Sequence, residues 1–345
     1  MRFVSFVERW TRSRRYRRDA APAELPESLA QRRHTSKFES GSPLSESEVH
    51  RSGYVAIIGR PNVGKSTLLN DLLGEKISIV SRRPQTTRNR VAGIYNRSDA
   101  QVVFLDTPGI HDAHKMLNKR MVDTAIAALD DVDLVLFLIE AGRDTTPESD
   151  LPLLRRVFAG GKPVILAPNK IDMLPKEELL PLLEAWSDAL NFADIVPISA
   201  KKGDGVGGLI STIVNRLPEG PAYFPKDQLT DVTERFVVAE LIREQVFRYL
   251  DKEIPYATAV EIEEFQEGGR VRILARIWVE RDSQKGIVIG KGGSMLKRIG
   301  TSARIEIEKL LQTKVYLKTT VGVKRDWTSK KQSVERLGNF HEGQS

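Results

Sequence analysis

Gly59, Arg60, Pro61, Asn62, Val63, Gly64, Lys65 and Ser66 form G-x-x-x-x-G-K-S, with Thr67 next. Glycines let backbone N–H groups converge on phosphate oxygens with no Cβ in the way. The lysine reaches the β and γ phosphates, and the serine hydroxyl ligates Mg²⁺. Three more groups follow in order. Asp106-Thr107-Pro108-Gly109 is a D-x-x-G. Its carboxylate would hold Mg²⁺ through water, and the Gly109 N–H would sense the γ-phosphate. Asn169-Lys170-Ile171-Asp172 is an N-K-x-D. Asp172, expected to be buried, accepts from guanine N1–H and N2–H₂; Asn169 fixes base and loop, and the Lys170 stem covers the ring. Adenine has neither donor and would leave Asp172 unpaired. Ser199-Ala200-Lys201 would close over the base, the Ala200 N–H donating to guanine O6. D-x-x-G alone means nothing, but four such groups in order describe a site for GTP and GDP.

A second glycine loop lies downstream, in GIVIGKGGSMLKRIG at residues 286–300. At first sight an apolar strand feeds it, as in a phosphate loop. However, no G-K-[ST] follows the first glycine at the right spacing. A G-x-x-G turn between two helical pieces suits a KH module instead, whose loop clamps the backbone of about four nucleotides of a single strand. Gly290, Gly292 and Gly293 would let that backbone approach, and Lys291 would meet phosphate. Ile287, Val288 and Ile289 would line the apolar side of the base groove, and Lys285, Lys297 and Arg298 would add positive charge.

The elements that must hold these groups are legible. Residues 54–58, 101–105, 163–167 and 194–198 are short apolar runs that read as strands, each ending at one of the four motifs. DLVLFLIE at 133–140 is another strand. Residues 67–73 read as a helix stopped by Gly74. Pro218, Gly220 and Pro221 mark a linker. Beyond it come an amphipathic helix at 231–250, alternating strands at 256–265 and 270–280, a helix at 294–311 and a last strand at 314–320. The domains expected are an extension at 1–50, an α/β nucleotide domain at 51–218, a linker at 219–230 and an α+β domain with its tail at 231–338.

Composition sets the class of partner. The net charge of +7 is spread unevenly: +3 over residues 1–50, −6 over 51–269, +11 over 270–336 and −1 over the last nine. So basic a domain seeks a polyanion, either nucleic acid or an acidic membrane surface. The 345 residues include no cysteine, which removes disulfides and thiolate chemistry. No apolar run reaches 18 residues, the length of a membrane-spanning helix. The arginine-rich first 50 residues lack a secretory h-region; they read as a disordered basic tail or as an organellar transit peptide. His111 and His114 read as exposed residues without ligand roles, and Asp130, Asp131 and Asp133 as a turn at a helix end.

Residues 53–217 resemble the translation-factor-like P-loop GTPases, with a mostly parallel six-stranded sheet implied. In that comparison ISIVSRRPQTTRNR at 77–90 is switch I, and Thr87 (rival Thr86) joins Ser66 and Asp106 around Mg²⁺. Lys65, Thr87, Asp106 and Gly109 would then carry catalysis. Ile110 stands where Ras-like enzymes have a water-orienting glutamine, so intrinsic hydrolysis should be slow. The resemblance also implies a potassium ion on Asn62, which would supply an arginine finger's electrostatics. With the helix, strand, strand, G-x-x-G, helix, strand order of a type II KH domain, residues 53 to about 338 are similar to the Era family. This similarity implies a GTP-hydrolysing switch that binds the 3′ end of small-subunit ribosomal RNA on the immature small ribosomal subunit. A monomer in the bacterial cytoplasm is implied, with peripheral contact to an anionic inner membrane; an organellar matrix is the alternative. Two rivals stand beside this: an RNA-binding assembly chaperone with GTP as a structural ligand, and a membrane-tethered GTPase.

Overall fold

The computed structural model describes residues 49–80, 87–108, 129–142 and 145–337. Gly109, Ile110, Thr86, His111, His114 and the extension at 1–48 lie outside them.

The first half is a layered α/β domain. Its elements in order are β1 (Arg51–Gly59), α1 (Lys65–Leu73), β2 (Val91–Asn96), β3 (Ala100–Asp106), β4 (Leu134–Glu140), α2 (Pro147–Ala159), β5 (Val164–Asn169), α3 (Lys176–Ala189), β6 (Asp194–Ile195) and α4 (Val206–Arg216). The six strands run in the order β2-β3-β1-β4-β5-β6. All pairings are parallel except β2 with β3. Successive strand residues point to opposite faces, so each central strand feeds two cores. Val55, Ile57, Phe104 and Leu136 meet α1 and α4 on one side. Ala56, Ile58, Leu105 and Phe137 meet α2 and α3 on the other. Burial on both faces explains why these strands read as unbroken apolar runs. The order reverses beside β1, so the carboxyl ends of β1, β3, β4 and β5 open onto one edge, where ligands bind such sheets.

Two strands depart from expectation. β2 is not among the strands expected from the sequence, and a glycine, Gly93, stands within it. That glycine is needed: a Cβ there would lie 2.4 Å from Leu69 Cδ1 of α1. The expected strand at 194–198 shortens to β6: the Val196 and Ile198 N–H groups still pair with Leu166 and Pro168, but Pro168 of β5 has no N–H to return.

The second half comprises α5 (Glu234–Tyr249), β7 (Ala259–Gln266), β8 (Val271–Val279), α6 (Asp282–Ile289), α7 (Ser294–Leu311), β9 (Val315–Val323) and α8 (Lys331–Leu337). β7 and β8 are antiparallel, β8 and β9 are parallel, and β9 is an edge. Residues 286–289 belong to helix α6, not to a strand. Between the halves, the segment expected as a linker is fastened down. Ile94 N–H donates to Leu229 O at 2.8 Å, and Ala92 N–H to the Asp231 carboxylate at 3.1 Å. The buried Gln101 carboxamide accepts from the Tyr223 and Phe224 N–H groups. In the tail, Trp327 is fully buried, its indole N–H on Ala257 O at 2.8 Å.

Candidate functional site

Residues 59–64 turn between β1 and α1. Gly64 has φ 106, and a Cβ on it would lie 2.2 Å from Asn169 Nδ2. Asn62 adopts the left-handed φ of 67, which asparagine tolerates better than most residues. Lys65 is buried, and its Nζ donates to Gly59 O at 3.0 Å and Arg60 O at 2.9 Å. Burial lowers its pKa to about 8. Anionic phosphates against this ammonium favour the charged form, so nucleotide binding and a protonated Lys65 reinforce each other. The Arg60 side chain is committed to Asp150 and the Ser149 carbonyl, leaving its backbone to the loop. Val63 is buried; Pro61 lies in the turn and Thr67 in the first turn of α1.

Three oxygen groups converge below the loop. Ser66 Oγ donates to Asp106 Oδ2 at 2.8 Å and lies 3.0 Å from Thr87 Oγ1. Ser78 Oγ, which the sequence did not single out, also donates to Asp106 Oδ2, at 2.7 Å. Asp106 is wholly buried, and burial raises its pKa despite these hydroxyls. Its Oδ1 is buried with no hydrogen-bond partner among the described residues. An orphaned carboxylate oxygen beside two hydroxyls fits a hard divalent cation of the Mg²⁺ type. Thr107 acts structurally: its hydroxyl donates to Ile57 O at 2.8 Å and locks β3 to β1. Pro108 follows it. Asp133 accepts the Tyr54 N–H at 2.8 Å. Among the described residues no cluster of His, Asp and Glu forms another metal centre.

The loops expected to read the base are cross-braced. Asn169 Nδ2 donates to Val63 O at 2.7 Å, and its Oδ1 accepts from the Lys170 N–H at 2.8 Å and the Ala200 N–H at 2.9 Å. The Ala200 N–H expected for guanine O6 is therefore engaged by Asn169, and a base oxygen would share it. Ser199 Oγ donates to Asp172 Oδ1 at 2.6 Å. Asp172 is exposed rather than buried, because it sits in a single helical turn after β5. Lys170 has φ 68 and pairs with Glu140 at 2.7 Å; Lys201 is exposed. Among the described residues Asn169 bonds to Val63 of the 59–66 loop and to Ala200 of the 199–201 loop and to no residue expected at the γ-phosphate, so Asn169→Ala should weaken GTP and GDP by the same factor. One to two lost hydrogen bonds at a buried site make this about 10–100-fold. Calorimetric titration with both nucleotides checks it, and unequal losses would place Asn169 on the triphosphate.

The second glycine loop joins α6 to α7. Gly290, Gly292 and Gly293 have φ of 72, 58 and 79, a region that side chains rarely adopt. Gly290 also lies against Met295, whose Cβ would be 2.7 Å from an added one. Lys291 and Lys297 are exposed, and Lys285 is half-buried. A groove of about 370 Å³ runs from Gly293 between α7 and the edge strand β9. Lys297, Gly300 and Arg304 form one wall and Tyr316 and Lys318 the other. The sequence reading missed the β9 wall, since nothing local says that this strand lies opposite α7. Two expected residues turn away. Val288 is fully buried in the core, one helical step from the exposed Ile287; Ile289 is half-buried. Arg298 stacks over Tyr249 of α5, 4.3 Å from its ring centre.

Comparison with known proteins covers both halves. Residues 54–170 match the family described as 50S ribosome-binding GTPase, and residues 253–328 match the KH domain. The GTPase Era of Geobacter metallireducens is 55% identical over 291 residues, 84% of this chain and 97% of the relative. That of Lacticaseibacillus paracasei is 49% identical, with 84% and 97% covered. Among solved structures, Era in complex with MgGDPNP and nucleotides 1506–1542 of 16S ribosomal RNA superposes with a TM-score of 0.81 at 41% identity. It covers 85% of this chain and 100% of that one. A variant of Aquifex aeolicus Era bound to GDP·AlF4⁻ gives 0.81 and 41%, with 84% and 100% covered.

Proposed function

Because this chain belongs to the Era family of GTPases, we propose that it is a GTP-driven switch on the 3′ end of small-subunit ribosomal RNA, acting on the immature small ribosomal subunit. It hydrolyses GTP to GDP and phosphate with Mg²⁺. The observation that carries the rest is the pairing, on one chain, of the Ser66–Thr87–Asp106 cluster with a glycine-lined basic groove. A solved relative at 41% identity holds MgGDPNP and a 16S fragment together. That likeness spans both domains, so it weighs more than the 50S in the description of the matching GTPase family, which covers residues 54–170 alone.

In this reading the backbone N–H groups of the 59–66 loop, all but that of Pro61, and the Lys65 ammonium hold the phosphates. Ser66, Thr87 and Asp106 hold Mg²⁺, which neutralises charge developing on the transferred phosphoryl group. The sequence puts Ile110 where a glutamine would orient the attacking water; isoleucine cannot do so, and the unstimulated rate is slow. Asn62, at the exposed tip of the loop, would hold a potassium ion and so supply positive charge to the reaction. Asn169, Lys170, Asp172, Ser199, Ala200 and Lys201 enclose guanine. Ribosomal RNA lies along Gly290–Gly293 and between α7 and β9, with Lys291, Lys297 and Lys318 against its phosphates. The protein acts as a cytoplasmic monomer, and its basic domain makes the peripheral contact with anionic membrane. Among the described residues no helix is long and apolar enough to cross a bilayer.

The test is GTP turnover with and without an RNA fragment from the 3′ end of small-subunit ribosomal RNA, in potassium and in sodium. It compares the full chain with Gly293→Asp. An aspartate there has open space but a φ of 79 and the wrong charge for a phosphate. RNA should stimulate turnover in potassium, and Gly293→Asp should abolish the stimulation alone. Intact RNA binding with no stimulation in either salt would favour the assembly chaperone. Vesicle binding that survives ribonuclease, with no RNA effect, would favour the membrane-tethered GTPase.

A further inference from the structure

Thr87 and Arg88 are neighbours in sequence and part company in space. The Thr87 hydroxyl lies with Ser66 in the nucleotide site, 3.0 Å away. Arg88 turns into the KH half. It is 3% exposed. Its Nη1 donates to Thr258 O at 2.7 Å, and its Nη2 to Tyr256 O at 2.9 Å and Pro255 O at 3.3 Å. The guanidinium also sits over Trp327, 5.7 Å from the ring centre. Burial and the nearby Arg243 lower its pKa to about 9, which leaves it a cation at neutral pH. A buried charge held by three main-chain carbonyls and one aromatic face is a plug fitted to that single turn.

The same stretch is tied at its other end in the same alternating way. Ser78 donates to Asp106 in the nucleotide site. Lys76 Nζ pairs with Glu244 of α5 at 2.5 Å and Glu306 of α7 at 3.6 Å, and the Val80 N–H donates to Glu244 at 3.3 Å. Residues 78 and 87 thus belong to the nucleotide, and residues 76, 80 and 88 to the KH domain. On α5, Glu240, Arg243, Glu244 and Gln245 are all buried. Buried ions carry a desolvation cost that an apolar contact does not. Such a seam is held less tightly than a greasy one, which suits a contact that is made and broken.

We propose that Arg88 is the positioning residue that couples the ligand state at Thr87 to the placement of the KH domain, and so sets RNA affinity by nucleotide. Consecutive Cα atoms are rigidly about 3.8 Å apart. A backbone movement of Thr87 larger than local rotation about φ and ψ takes up is therefore passed to Arg88, where hydrogen bonds fail beyond about 3.5 Å. The inference rests on the reading above, in which one chain links GTP and ribosomal RNA.

The test measures the dissociation constant of a labelled RNA fragment from the 3′ end of small-subunit ribosomal RNA. It is measured with a non-hydrolysable GTP analogue and with GDP, for the full chain, Arg88→Ala and Arg88→Lys. The readout is the ratio between the two nucleotide states. Wild type should show a ratio of about 5-fold or more, the lower range of allosteric couplings. Arg88→Ala should bring it to one. Arg88→Lys should fall between, because an ammonium cannot span three carbonyls as a fork does. A merely structural arginine would weaken RNA equally in both states and leave the ratio intact, and that result overturns the proposal. Should Arg88→Ala fail to fold, Arg88→Lys decides, and a wild-type ratio there overturns the role of the fork. A ratio of one in wild type would instead bring down the switch itself, a distinct failure.

Discussion

Asp172→Asn is expected to strip the protein of GTP and hand it xanthosine triphosphate. The Asp172 carboxylate is held by Ser199 Oγ at 2.6 Å on one oxygen, at the mouth of the base pocket between residues 169 and 200. A carboxylate only accepts, and guanine offers two N–H groups on that edge. An asparagine places a donor where guanine has its N2 amino group, so one attraction becomes a clash of donors. Hydrogen bonds to a charged partner contribute about 1.5–3 kcal/mol each; one is lost and the other falls to neutral strength, which weakens GTP about 10²–10³-fold. Xanthine carries an oxygen in place of that amino group and restores the match. Competition binding of GTP and xanthosine triphosphate to wild type and variant measures the exchange. If the variant still prefers GTP, Asp172 does not read the base.

Asp106→Asn is expected to lower GTP turnover by about 10²–10³-fold, the range for removing one charge-stabilising group from a site. The residual rate should match wild type in excess chelator and be indifferent to magnesium. Asparagine can still accept from Ser66 and Ser78, so the fold survives while the formal charge facing the cation is gone. Stability in the absence of nucleotide and metal should move the other way. Burial raises the Asp106 pKa in the folded chain. A raised carboxyl stabilises the fold below its unfolded pKa, and that contribution is lost as pH rises through the folded value. At neutral pH the buried carboxylate is thus a net cost, and the neutral asparagine should melt at a higher temperature. Thermal melts of the apo protein at pH 7 check this, and a lower melting temperature would mean that the carboxylate is structurally required.

Much of the fold was legible because parallel strands buried on both faces read as bare apolar runs, such as 134–138 and 164–167. β2 was not, because its Gly93 answers to the leucines of α1 rather than to a strand pattern. Of the candidate site, each glycine loop could be found from its own residues. Positive φ at Gly64, Gly290 and Gly293 is a local demand that only a few residue types meet. A run of apolar residues was less informative. In GIVI, helical rotation sends Val288 into the core and leaves Ile287 half exposed, and composition alone treats the two alike.

By itself the sequence picked out the candidate groups: a G-x-x-x-x-G-K-S loop, the D-x-x-G carboxylate, the N-K-x-D segment and a second glycine loop set in a basic domain. These are contiguous segments whose backbone geometry and functional groups are specified within a few residues. Only the tertiary structure decided who meets whom. It brought Ser78 to Asp106 and Asn169 to both Val63 and Ala200. It set β9 opposite α7 as a groove wall and seated Arg88 among the carbonyls of residues 255–258. These contacts join segments up to 170 positions apart in the chain. The packing of the two domains sets them, and no local pattern encodes which distant partner a buried side chain will find.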